Sequence, residues 1–250
     1  VLQLSGGNDI LNTLVPYTNP LYYYNRPNVR IPEDQVLPIN DTLGFNPNMS
    51  ALKGLYDDGK VAVIQGVGYP TPNRSHFRSM DIWHTCEPTK MADEGWLGRA
   101  IRDLDPNKEN VLTGVNFGRG LPKALAAPGV PVASVGSLES YGVLTSIEME
   151  EERNQALDIF ARMYSPSMGT GPVMEYLSQT GMDAMTGADI LATATAKYSS
   201  SVEYGSSSMS QYMRNIAQVH CADLGTRILY TTAPYNSFDT HATQMSAHAG

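Results

Sequence analysis

The segment Pro72-Asn73-Arg74-Ser75-His76-Phe77 sets a hydroxyl beside a guanidinium at the point where a helix is predicted to begin. A serine at a helix N-terminus, with free backbone N–H groups behind it and an arginine alongside, suits the binding and attack of a tetrahedral oxyanion such as a phosphate or sulfate ester. Two further segments carry ligand chemistry. Asp9 follows Gly6-Gly7-Asn8, and Phe238-Asp239-Thr240-His241 leads to Gln244 and His248, so that His241, Gln244 and His248 fall at i, i+3 and i+7 along one side of a helix. Carboxylates and imidazoles together suit zinc or a related divalent cation. A cation that holds the ester while Ser75 attacks, with Arg74 steadying the anion, is the chemistry these residue types allow.

Each group also has a plainer use. Ser75 is a favoured helix cap, Asp9 after two glycines suits a turn, and Asp239-Thr240-His241 has the form of a cap followed by a surface histidine. Their shared position argues for more. Residues 1–4, 61–67 and 227–232 read as strands, and each runs directly into one of the three polar segments. The run Val61-Ala62-Val63-Ile64-Gln65-Gly66-Val67 is so continuously apolar that it predicts an interior parallel strand covered on both faces. Ligands of open parallel sheets bind outside the carboxyl ends of the strands, so Asp9, Arg74-Ser75 and Asp239-His241 are expected along one sheet edge.

The intervening elements fit an α/β domain with a mostly parallel sheet flanked by helices. Asn46-Pro47 opens a helix with Leu52, Leu55 and Tyr56 on one face and Gly59 as its stop. The helix after Ser75 is expected to bury Phe77, Met80, Ile82 and Trp83. Trp96, Leu97, Ala100, Ile101 and Leu104 mark another helix, Val111 to Phe117 a strand, and Thr145 with Glu148 a capping box. A helix over 209–224 is stopped by Gly225. Residues 16–47, rich in proline and tyrosine, predict an irregular excursion, and residues 165–210, rich in Ser, Gly, Met and Thr, a mobile insertion or lid. His84 and His220 read as packed histidines.

Composition narrows the partners. The 250 residues carry 17 basic and 25 acidic side chains, a net charge of -8 without a basic stripe, which argues against a nucleic-acid or anionic-membrane binder. No apolar run reaches the roughly 20 residues that span a bilayer. Cys86 and Cys221 could pair, but 135 positions apart they are expected rather as two buried thiols. The chain opens within a strand and stops at Gly250 inside a helical turn, so a fragment of a longer domain is expected.

Taken in order, Gly6-Gly7-Asn8-Asp9 through Asn12-Thr13 and Val15-Pro16-Tyr17, the Asn46-Pro47 helix, Pro72 to Phe77 with Asp81-Ile82-Trp83, Gly95-Trp96-Leu97-Gly98-Arg99, and Phe238 to His241 with Gln244 and His248 resemble the domain-of-unknown-function 1501 family. That family is placed in the alkaline-phosphatase and sulfatase-like superfamily. The resemblance implies an alkaline-phosphatase-like fold, incomplete here at its C-terminus, with Ser75 as nucleophile and Asp9, Asp239 and His241 as metal ligands; by its helical spacing from His241, His248 is expected to face the same pocket as a further ligand. It further implies divalent metal, zinc among the candidates, a small anionic ester as substrate, and export to the periplasm or the exterior. Formylglycine sulfatases carry Cys or Ser two residues before the proline of a Pro-x-Arg element; here that residue is Pro70, so an enzyme of that type is not expected. The alternatives are a non-catalytic exported binding or assembly protein that keeps the fold and, ranked last, a metal-free serine esterase using Ser75, His241 and Asp239.

Overall fold

The computed structural model describes residues 1–138, 141, 149–164, 171–233 and 238. The described strands are β1 (Leu2–Gln3), β2 (Leu14–Val15), β3 (Leu37–Pro38), β4 (Gly44–Phe45), β5 (Gly114–Phe117), β6 (Ala133–Val135) and β7 (Ile228–Thr232). The α-helices are α1 (Ile10–Thr13), α2 (Pro20–Asn25), α3 (Ser50–Asp57), α4 (His76–Thr85), α5 (Trp96–Leu104), α6 (Glu150–Tyr164), α7 (Pro172–Lys197) and α8 (Ser208–Cys221). The chain falls into two compact units, Val1–Gln3 with Thr71–Thr232, and Leu4–Pro70 with Ala233–Gly250.

The larger unit is α/β. Its four-stranded sheet has the order β1-β7-β5-β6 and is parallel throughout, with Leu2 opposite Thr231, Gly114 opposite Ile228 and Val115 opposite Ala133. All four residues of β5 are buried, as a strand covered on both faces requires. Val115 and Phe117 share one face, two residues apart, and join a core with Leu112, Val135, Leu191 and Ala194 of α7 and Val219 of α8. The opposite face meets α5: a Cβ on Gly114 would lie 2.4 Å from Ile101 Cδ1, so the absence of a side chain there is what admits the helix. Leu97, Ile101, Leu125 and Tyr230 form the second core.

The motif Gly95-Trp96-Leu97-Gly98 has a packing explanation. A Cβ at Gly95 would sit 2.0 Å from the Lys123 carbonyl oxygen, while the Gly95 N–H donates to the Ala126 carbonyl at 2.7 Å. The N-terminus of α5 is thereby seated on the turn at 123–126.

Two expectations are corrected here. Residues 61–67 form no strand and pair with none of the described strands, and Ile64 is 80 % and Val67 64 % exposed. Apolar composition sets a propensity for pairing, and without a neighbouring strand that propensity has nothing to act on. Within 165–210, where a mobile insertion is predicted, residues 172–197 are one helix of 26 residues. The Gly and Thr residues that suggested a lid stand in this helix beside alanines, all small enough for close packing, and Leu191 and Ala194 are fully buried.

The smaller unit replaces the predicted irregular excursion with a three-stranded antiparallel sheet, β2-β4-β3, over a core of Val15, Tyr22, Ile31 and Val36. Helix α1 is too short to persist alone. Its Asn12, 1 % exposed, donates to the Val29 carbonyl at 2.6 Å and accepts from the Tyr22 hydroxyl at 2.8 Å, and the Asn12 carbonyl accepts from the Asn46 amide at 2.8 Å. Asn46 also caps the turn before α3 as predicted, and Gly59 ends that helix at φ 71°.

Candidate functional site

Ser75 occupies the N-cap of α4, in extended backbone at φ -75° and ψ 122°. Its hydroxyl accepts from the Arg78 N–H at 3.4 Å, so it is turned back along the chain and not outward as a free nucleophile is expected to be. The bond is long and holds the oxygen weakly. Asn73 Oδ1 accepts from the Ser75 N–H at 2.8 Å, and the Ser79 hydroxyl donates to the Asn73 carbonyl at 2.6 Å, so the approach to the helix is built from local polar bonds. Arg74, Ser75 and His76 are all exposed. The helix anchors through Ile82 and Thr85, whereas Phe77, expected on its buried side, is 82 % exposed and Trp83 47 %.

Asp9 is the N-cap of α1, its Oδ1 accepting from the Leu11 N–H at 3.2 Å. Its Oδ2 forms an ion pair with Arg26. Both carboxylate oxygens are therefore engaged, and Asp9 as folded does not fit a metal ligand unless Arg26 releases it. The remaining predicted ligands, Asp239, His241 and His248, lie outside the described residues, as does the capping box of Thr145 and Glu148. Among the described residues no group of three His, Cys, Asp or Glu side chains is placed to hold a metal ion.

β1 and β7 are parallel neighbours, so the chain leaves both at the same sheet edge. Beyond them, the Phe238 N–H donates to the Ser5 carbonyl at 3.2 Å, which ties the segment before Asp239 to the segment before Asp9. The third strand of the expected edge, 61–67, is absent from the sheet.

Two polar clusters in the larger unit escape sequence reasoning because each takes a member from far along the chain. Gln3 Oε1 accepts from the Tyr230 hydroxyl and lies 2.9 Å from His84 Nε2. An amide oxygen only accepts, so His84 carries its proton on Nε2. Burial lowers the pKa of this imidazole, with Asp81 opposing and Lys123 assisting. Burial pushes the Tyr230 phenol up to about 12. The second cluster centres on Asp81, paired with both Arg78 and Lys123. The hydrogen bond from Lys123 lowers the Asp81 pKa, burial opposes it, and the charges of Lys123 and Arg78 add to the lowering. Arg78 further donates to the carbonyls of Glu87, Pro88 and Lys90, so it stitches the loop after α4.

His220 is exposed, as are Cys86 and Cys221, which are unpaired; the cysteines expected in the interior thus stand at the surface. No helix among the described residues is long and apolar enough to cross a membrane. Comparison with protein-family models, with curated proteins and with solved structures finds no match to this chain.

Proposed function

We propose that this chain is a metal-dependent hydrolase of phosphate or sulfate esters, of alkaline-phosphatase-like kind, working on a small anionic ester in the periplasm or outside the cell. The reading rests on the ordered run of motifs described above and on one feature of the geometry. Arg74 and Ser75 stand exposed at the start of a ten-residue helix, whose first N–H groups, those of His76 and Phe77, have no intrahelical acceptor. The ester's anionic oxygens are bound there and by Arg74. Ser75 Oγ bonds to phosphorus or sulfur as the ester oxygen leaves, the serine proton passing to solvent and the leaving oxygen taking one from water. Water then cleaves the serine ester, releasing the inorganic anion and restoring the hydroxyl.

The proposed ligands of a divalent metal are Asp9, Asp239, His241 and His248, and Asp9 joins them only by giving up Arg26. That commitment is also the observation that favours a second reading, a non-catalytic binding or assembly protein that keeps the fold. The test is turnover of p-nitrophenyl phosphate and p-nitrophenyl sulfate with added zinc, magnesium or manganese, for the full chain and for Ser75→Ala. Hydrolysis that needs metal and is lost in Ser75→Ala at unchanged metal content supports the enzyme. Metal-independent silence in both supports the binding protein.

A further inference from the structure

We propose that the cavity walled by the end of α7, the loop 198–207 and α8 binds an uncharged, polyhydroxylated ligand of disaccharide size. The cavity is about 900 Å³, at the upper end of small-ligand sites. Its floor includes Gln218, 2 % exposed, whose Oε1 has no hydrogen-bond partner. A buried amide oxygen left unmet is costly, and a donor entering the cavity would satisfy it.

The rest of the lining fixes the class of donor. Tyr141, Tyr198 and Tyr204 give flat aromatic walls, and the two hydroxyls of Tyr198 and Tyr204 lie 3.0 Å apart, closing the loop on itself. Gln211, also in the lining, donates to the Gly205 carbonyl at 2.8 Å, and the Val202 N–H donates to the Ser200 hydroxyl at 2.9 Å, so the rim is built from side chains already held in place. Glu203 and Arg214 contribute one charge of each sign. Among the described residues these two charges offset each other, so that part of the lining does not select an anion. Amide, phenol and hydroxyl groups that both donate and accept match the vicinal hydroxyls of a sugar, whose C–H faces stack on aromatic rings.

The experiment is saturation-transfer NMR and calorimetry of the full chain with maltose, cellobiose, lactose and sucrose, with inorganic phosphate as the charged control. At least one disaccharide is expected to bind with a millimolar or tighter Kd. Gln218→Leu, which keeps the volume and removes the amide, is expected to weaken that binding about tenfold or more at an unchanged or raised Tm. Should Gln218→Leu fail to fold, Tyr204→Ala on the rim carries the same expectation. Absence of binding by all four sugars, binding of phosphate in their place, or equal sugar binding by wild type and the folded variant would overturn the proposal.

Discussion

Asp9, the N-cap of α1, and Arg26, the C-cap of α2, form an ion pair whose side chains are only 11 % and 20 % exposed. The pair therefore lies between a surface bridge and a buried one. Arg26→Ala is expected to lower stability by about 2 kcal/mol, between the values typical of those two cases, as read by denaturant unfolding. The same change removes the guanidinium from Asp9 Oδ2, while Oδ1 keeps its bond from the Leu11 N–H. If Asp9 is a ligand, zinc affinity measured by chelator competition rises in Arg26→Ala; an unchanged affinity removes Asp9 from the metal site.

The His84 cluster sets a pH dependence. Because burial depresses the folded-state pKa of His84, the unfolded chain takes up this proton first, and stability falls as pH drops below about 6.5 toward the folded value. Asp81 acts lower. Its depressed pKa contributes stability above about pH 4 that is lost as pH falls through the folded value. Thermal melts of His84→Gln should lose the slope that sets in below about pH 6.5 and retain the steeper acid limb.

Leu191 tests whether 172–197 belongs to the body of the domain. Its side chain is fully buried against the core that includes Phe117 and Val219. Leu191→Ala should cost about 3 kcal/mol in global unfolding, the scale of a core truncation, where the same change in a detachable lid would cost little.

Much of the scaffold was legible in the sequence because local signals coincide with the final packing. The Asn46 and Ser75 caps, the helix at Trp96–Leu104, the strand at Ile228–Thr232 and its place in one parallel sheet with the first strand all follow from residue type and period. The failures are of tertiary origin. Ile64 and its neighbours have strand composition without a strand beside them, and the small residues of α7 look like loop until Leu191 and Ala194 are seen in contact with the sheet. Of the candidate site, the place of Ser75 at a helix N-terminus was legible. The partner that occupies Asp9 was not, because Arg26 lies 17 residues from it in the chain.

Ile64 itself offers a check. At 80 % exposure, Ile64→Ser is expected to change stability by less than about 0.5 kcal/mol. A loss of several kcal/mol would return 61–67 to the interior of a sheet.

The most direct test of ester hydrolysis at α4 separates the cap from the nucleophile. Asparagine caps helices as well as serine does but has no hydroxyl to attack with. Metal-dependent turnover of p-nitrophenyl phosphate or p-nitrophenyl sulfate by the wild-type chain should fall by about a thousandfold or more in Ser75→Asn, at the same Tm and metal content. Wild-type turnover that survives in Ser75→Asn, or its absence from the wild-type chain with every metal tried, would contradict the assignment of Ser75 as the nucleophile.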